Sequence, residues 1–273
     1  MTLQIKRRGR PPKVQQQTQP TQRPDYEVLE SLKTRFSLLN KLTHAAAQSA
    51  IKNLTVTGAP GIGKSYTVHS VLESYPNIAH EVISGDVSAI ELFKLAYRLR
   101  QPGSVLVLDD ADTIFKDEAA LNILKVLCDS GDRRTVSWLK QSLDNTDIPT
   151  SFNFEGACIF ISNINWQQVV DMGANKYAPH MEALMSRGLY LDLMLHDTQA
   201  VSLWINHVTV SSKMFDRHGL DEKVGESIMQ FIRIHRDNFR VLSLRTVNHL
   251  IGLYKANPER WEVDAKLLLL RTP

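Results

Sequence analysis

Residues 58–65 read GAPGIGKS, and their surroundings decide the fold. The eight residues match G-x-x-x-x-G-K-[ST], directly after the apolar run Leu54–Thr57 and directly before the helix-forming stretch Ser65–Ser74. Gly58, Gly61 and Gly63 let successive backbone N–H groups curl round a phosphate, with Ala59, Pro60 and Ile62 between them, and the helix start adds positive potential at the same spot. Lys64 is placed to reach the β- and γ-phosphates of a nucleotide. The Ser65 hydroxyl completes a Mg²⁺ shell, and Tyr66 closes the motif. A bare glycine-rich turn would need neither the preceding strand nor the Lys-Ser pair.

Four further short apolar runs follow the same rhythm as Leu54–Thr57: Glu81–Ile83, Ser104–Leu108, Ala157–Ile161 and Leu189–Leu193. They are joined by crossovers long enough for a helix, which predicts buried parallel strands of a five-stranded α/β sheet with flanking helices. Before them, Tyr26, Leu29, Leu32, Phe36, Leu39 and Leu42 recur every three or four residues, the mark of an amphipathic helix. After about residue 196 only helical periodicity remains. It runs through Val201, Trp204, Ile205 and Val208, then Ile228, Phe231 and Ile232, then Val247, Leu250, Ile251 and Tyr254. The expected organisation is a tail over residues 1–24, an α/β nucleotide-binding unit over 25–195 and a small all-helical lid over 196–273.

The run Ser104–Leu108 ends in Asp109-Asp110. A carboxylate at that strand end is where a phosphate-binding α/β enzyme helps hold Mg²⁺, and Asp109 is the candidate. Asp110 is then the candidate base that polarises an attacking water. Aspartates at a strand end also cap helices, and Asp112 is a candidate for that.

Composition narrows the class. The chain has 273 residues, 43% of them apolar, with 32 Lys and Arg against 29 Asp and Glu. No stretch approaches the ~18 apolar residues of a membrane span, and the start lacks the apolar core of a secretory signal. An intracellular protein is expected, in the cytoplasm of a bacterial or phage-infected cell, or the nucleus if the host is eukaryotic. The two cysteines, Cys128 and Cys158, lie in apolar runs and read as reduced, packed thiols. The nine histidines fall in no metal-ligand spacing. The net charge of +3 is unevenly spread, being +6 over residues 1–24 and −3 over the rest.

Residues 54–112 resemble the Walker A and Walker B motifs of the AAA+ ATPases, and the later motifs of that family follow in order. The strand Ala157–Ile161 with Ser162-Asn163 resembles sensor 1, which implies that Asn163 positions the lytic water, with Asn165 as its rival. The segment MEALMSRGLYLDL, residues 181–193, resembles the helix that ends in an arginine finger, so Arg187 would point at the ATP of a neighbouring subunit. An arginine beside glycine after a helix is also commonly a partner of the helix C-terminal dipole. Residues 242–251, LSLRTVNHLI, resemble the sensor 2 helix, with Arg245 reaching the γ-phosphate. Independently of the family, a cation in the first turn of a helix capped by Ser243 calls for an anionic partner, whether phosphate, carboxylate or solvent counterion. One departure stands out: the family usually has Glu where this chain has Asp110, which shortens the base by one methylene and implies slow hydrolysis.

Residues 6–13 read KRRGRPPK. Arg8-Gly9-Arg10-Pro11 resembles the AT-hook, which lies in the minor groove of A·T-rich DNA. Narrow grooves attract arginine, Gly9 permits close approach and Pro11 keeps the chain extended. Lys6, Arg7 and Lys13 would pair with phosphates. A nuclear-import signal or a solvated basic tail would look alike. Residues 129–155, with Arg133, Arg134, Trp138 and Lys140, either contact a nucleic-acid strand or pack as a surface hairpin.

Together these readings imply an ATP- and Mg²⁺-dependent AAA+ ATPase that self-associates into a ring or filament. It would act on DNA in replication or recombination, most like the helicase loaders, with a protein client such as a helicase or recombinase and no membrane partner. A DNA-bound scaffold or transposition-type adaptor with slow hydrolysis is the first rival. A protein-remodelling ATPase whose tail is an address is the second, weakened because Ile83-Ser84-Gly85-Asp86 lacks the aromatic of a pore loop.

Overall fold

The computed structural model describes residues 24–139, 147–173, 176–195 and 197–271. The phosphate-loop residues, both aspartates, both asparagines and both arginines lie within them, whereas the hook residues Arg8, Gly9, Arg10 and Pro11, and Lys140, lie outside.

Helix α1 (Asp25–Ala47) leads into β1 (Asn53–Thr57), α2 (Lys64–Glu73), β2 (His80–Ser84), α3 (Ala89–Arg98) and β3 (Val105–Asp109). A 3-10 turn (Asp112–Lys116) and α4 (Glu118–Leu127) precede a hairpin of β4 (Thr135–Ser137) and β5 (Ser151–Asn153). Then come β6 (Ala157–Ser162), α5 (Trp166–Met172), α6 (Ala178–Met185) and β7 (Leu189–Asp192). The rest is helical: α7 (Thr198–Ser211), α8 (Met214–Arg217), α9 (Glu222–His235), α10 (Leu244–Ala256) and α11 (Trp261–Leu269).

The five long strands form one parallel sheet in the order β2-β3-β6-β1-β7. Strands β1, β3 and β6 are buried at every residue, because helices cover both faces, and this is why they read as unbroken apolar runs. Alternate residues feed two cores. Leu54, Val56, Val105, Val107, Ile159 and Ile161 meet α1, α2 and the C-terminal helices. Leu106, Leu108, Cys158 and Phe160 meet α3 to α6 and the hairpin. The C-terminal helices share the first core: Phe36 of α1 stacks on Trp204 of α7, with centroids 3.9 Å apart and planes at 14°.

One detail differs from the sequence expectation, and another decides between two readings left open. The helix after β3 is capped by Asp117, whose carboxylate accepts from the amides of Ala119 and Ala120, a cap of about 1 kcal/mol. Asp112 instead starts the 3-10 turn and accepts from the Ser162 hydroxyl at 2.9 Å. Arg134 is not a surface cation. It is 4% exposed, donates to the carbonyls of Leu127 and Gly156 at 2.7 Å each and lies over the Phe154 ring. Trp138 is buried beside Phe93, so the hairpin root is packed and neither side chain offers a strand-binding surface. Cys128 and Cys158 are buried free thiols, and burial pushes the Cys128 thiol well above its ordinary pKa.

Candidate nucleotide site

The C-terminal ends of β1, β3 and β6 converge on the loop 58–63, the usual ligand position for a parallel sheet. Gly61 and Gly63 have φ of +68° and +102°, a left-handed backbone that side-chain-bearing residues adopt only under strain. This geometry turns the loop into α2, which begins at Lys64 with Gly63 as its N-cap. The first amides of α2 therefore face the loop without helical partners.

Lys64 is 5% exposed. Its ammonium donates to Gly58 O at 2.8 Å, Ala59 O at 2.9 Å and Asn163 Oδ1 at 2.7 Å, using all three of its donors. Asn163 Nδ2 donates in turn to Asp110 Oδ1 at 2.7 Å. The amide orientation is dictated by its neighbours, since an ammonium can only donate and a carboxylate only accept. Burial lowers the Lys64 pKa to about 8, opposed by the charges of Asp110, Asp109 and Asp112 and helped by Arg245.

Of the two asparagines, Asn163 faces the lysine. Asn165 caps α5 by accepting from Gln168 N at 3.0 Å and donates to Asp192 at 3.4 Å. Asp109 ends β3 at 9% exposure, and its Oδ1 is buried with no hydrogen-bond partner. An orphaned carboxylate oxygen costs of order 1–3 kcal/mol, and a cation beside it would remove that cost. Asp110 is exposed, sits at φ +53° and anchors its own amide on Ile161 O at 2.9 Å. Burial raises the Asp112 pKa, and the Ser162 bond opposes the shift.

The donor set suits Mg²⁺ bound together with a nucleotide. Among the described residues no three His, Cys, Asp or Glu side chains gather to hold a metal by themselves. Asp109 and the half-buried Ser65 supply one carboxylate and one hydroxyl. Magnesium usually completes such a pair with phosphate and water oxygens.

Arg245 lies at the second position of α10, over the loop. Leu244 N donates to Gly61 O at 2.9 Å, and a β-carbon on Gly61 would fall 2.9 Å from Ser243 Cβ and 3.6 Å from Arg245 Cδ. Ser243 caps α10, and Thr246 Oγ1 accepts its amide at 3.0 Å. A second clamp had no sequence signature. Trp204 Nε1 donates to Ile62 O at 2.9 Å, although its helical period marked Trp204 only as core.

Arg187 does not join this cluster. It follows α6, donates to Ala183 O on its own helix, and its carbonyl accepts from Asn53 Nδ2 at 3.2 Å. It is therefore at the N-terminal end of β1. The length of that strand, roughly 16 Å at ~3.3 Å per residue, separates it from Lys64. Its guanidinium is the helix-terminal partner foreseen as one reading, and it is half-exposed.

No family profile matches the sequence. An uncharacterized 36.7 kDa protein from the nrdC-mobD intergenic region of Enterobacteria phage T4 is 31% identical over 245 residues, spanning 86% of this chain and 75% of the phage protein. The chain belongs to that T4 protein's family. Among solved structures, a variant of Thermotoga maritima RuvB superposes with a TM-score of 0.51 at 14% identity, over 88% of this chain and 70% of RuvB. Domain III of the T. maritima replication initiation protein DnaA gives 0.51 at 14% identity, over 90% and 96%. These likenesses show the fold of this T4-family member, a parallel five-stranded core followed by helices, as one shared with RuvB and with domain III of DnaA. Among its described residues no helix is long and apolar enough to cross a membrane.

Proposed function

We propose that the chain binds and hydrolyses ATP and acts on DNA as an oligomeric accessory factor in replication or recombination, in the manner of a helicase loader. The observation that carries the reading is the continuous chain from Lys64 through Asn163 to Asp110, with Arg245 laid over Gly61. It gathers, around one glycine cradle, a cation for phosphate, a carboxylate for water and an amide able to hold both.

In this reading Gly58 to Tyr66 hold the triphosphate, and Asp109 and Ser65 hold Mg²⁺, which supplies charge neutralisation when bound. Asp110 orients water for in-line attack on the γ-phosphorus, Asn163 fixes that water, and Arg245 meets the charge that develops on the phosphoryl oxygens. Arg187 serves a neighbouring copy, because the length of β1 keeps it from its own Lys64. The functional units are the α/β body, 25–195, and the lid, 196–273. The basic tail, with Arg8, Gly9, Arg10 and Pro11, enters an A·T-rich minor groove, and self-association builds a ring or filament that engages a protein client. RuvB, named as a Holliday junction branch migration motor, and DnaA, named as a replication initiation protein, make DNA a natural partner for the fold.

Lys64→Ala is expected to lower ATP turnover by about a hundredfold or more, and an unchanged rate in that variant overturns the reading. Deleting residues 1–13 is expected to weaken binding to an A·T-rich duplex at moderate salt; unchanged affinity removes the hook.

A second reading, a DNA-bound adaptor that polymerises with ATP and hydrolyses it slowly, is favoured by Asp110, which is short for its role and held at a positive φ. Sizing the particle with a slow ATP analogue separates the two. A closed ring with DNA-stimulated turnover supports the loader, and open filaments with little turnover support the adaptor.

A further inference from the structure

Tyr190 lies on β7, three residues after Arg187, and pairs in register with Thr55 of β1. Its ring packs against the core formed with α3 to α6, a place phenylalanine would fill equally well. Its hydroxyl has other work. It meets Thr57 Oγ1 at 2.8 Å, donates to Asn165 Oδ1 at 3.3 Å and accepts from Gln167 N at 3.4 Å. Thr57 is fully buried, so its own hydroxyl needs an internal partner. Burial raises the phenol pKa, opposed by the Thr57 bond, which keeps the hydroxyl a neutral donor.

These partners lead to Lys64 by two routes. Thr57 immediately precedes Gly58, whose carbonyl accepts from Lys64 at 2.8 Å. Asn165 is two residues beyond Asn163, which holds Lys64 and Asp110. The same segment is anchored at the other end of β1, where Asn53 holds the Arg187 carbonyl. A shift of residues 187–190, as when Arg187 meets an anion on a neighbouring copy, would move the Tyr190 hydroxyl against both the loop after β1 and the loop after β6.

We propose that Tyr190 is a positioning residue that couples the Arg187 contact made with one subunit's nucleotide to the Lys64–Asn163–Asp110 chain of its own subunit. This rests on the ATPase reading above. Coupling free energies between sites typically change affinities by roughly five- to 150-fold, and a spatial connection needs a coupling measurement to support it.

The test is a double-mutant cycle on ATP turnover in the full chain. Arg187→Ala and Tyr190→Phe are each expected to lower kcat about tenfold with KM within twofold, and the double variant to be no slower than the slower single variant. Thr57→Val, which removes the same bond from the other side, is expected to reproduce Tyr190→Phe. If the double variant falls to the product of the two single effects, the residues act independently and the coupling is overturned. If wild-type protein shows no Lys64-dependent turnover, the ATPase reading fails by itself, and amide exchange with ATPγS decides the coupling. Joint protection of residues 163–168 and 188–192 in wild type, lost at 188–192 in Tyr190→Phe, supports it. Identical patterns in both proteins overturn it.

Discussion

Lys64 and Arg134 are both buried cations at the ends of the same sheet, one 5% and the other 4% exposed, and they do opposite work. Arg134, at the N-terminal end, spends its guanidinium on two backbone carbonyls and an aromatic face. Burial lowers its pKa, with the cysteines and the carboxylates of Glu155 and Asp129 only partly opposing. Lys64, at the C-terminal end, faces Asp110 across an asparagine, beside a loop with two glycines in the left-handed region. The first is a staple between α4 and β6. The second, in the function proposed above, is held where incoming phosphate would exchange with its oxygens.

That contrast is open to attack by substitution. Arg134→Met leaves the Leu127 and Gly156 carbonyls without a donor inside a closed core, at about 1–3 kcal/mol each. Its urea midpoint should fall accordingly, while the folded fraction keeps its nucleotide affinity. Lys64→Met should do the reverse, because water can reach the open loop: affinity is lost and the midpoint hardly moves. Equal destabilisation of the two variants would erase the distinction.

Next in size is Gly61→Ala, which forces a β-carbon into the left-handed region and against Ser243 Cβ at 2.9 Å. The backbone conformation alone costs about 1–2 kcal/mol. The melting temperature should drop and nucleotide affinity should fall with it as α10 is pushed off the loop. The smallest effect is that of pH. Only the ammonium form of Lys64 attracts phosphate, and its folded-state pKa is about 8. Affinity for an ATP analogue should therefore be near its plateau at pH 7 and about tenfold weaker at pH 9, one unit above that pKa. A flat profile over this range would show that Lys64 keeps its proton.

The central strands β1, β3 and β6 were legible because a parallel strand covered on both faces must be apolar at nearly every position, and the glycine-rich loop because its Lys-Ser pair follows a strand and opens a helix; the edge strands β2 and β7, only partly buried, showed mainly by their place in the rhythm. The hairpin showed only as one of two readings of residues 129–155, because strands of three residues show no period; within β4 and β5, Val136 and Phe152 are the buried residues. Arg134 stayed open between a strand contact and hairpin packing for a related reason: residue type announces charge, and only the carbonyls of Leu127 and Gly156 announce burial. Asn163 and Asn165 are two positions apart in one loop, so sequence alone could not tell the phosphate-side amide from the helix cap. Trp204 gave the helical period that placed it in the core, but nothing in its neighbours foretold a bond to Ile62.

That bond makes the protein its own optical probe. All four tryptophans are buried, and Trp204 donates to a loop carbonyl two residues before Lys64 while stacked on Phe36. Any movement of α7 that parts indole from loop would alter both the polarity at its nitrogen and its overlap with the neighbouring ring. An emission change that disappears in Trp204→Phe would then report that parting in unlabelled protein and in real time.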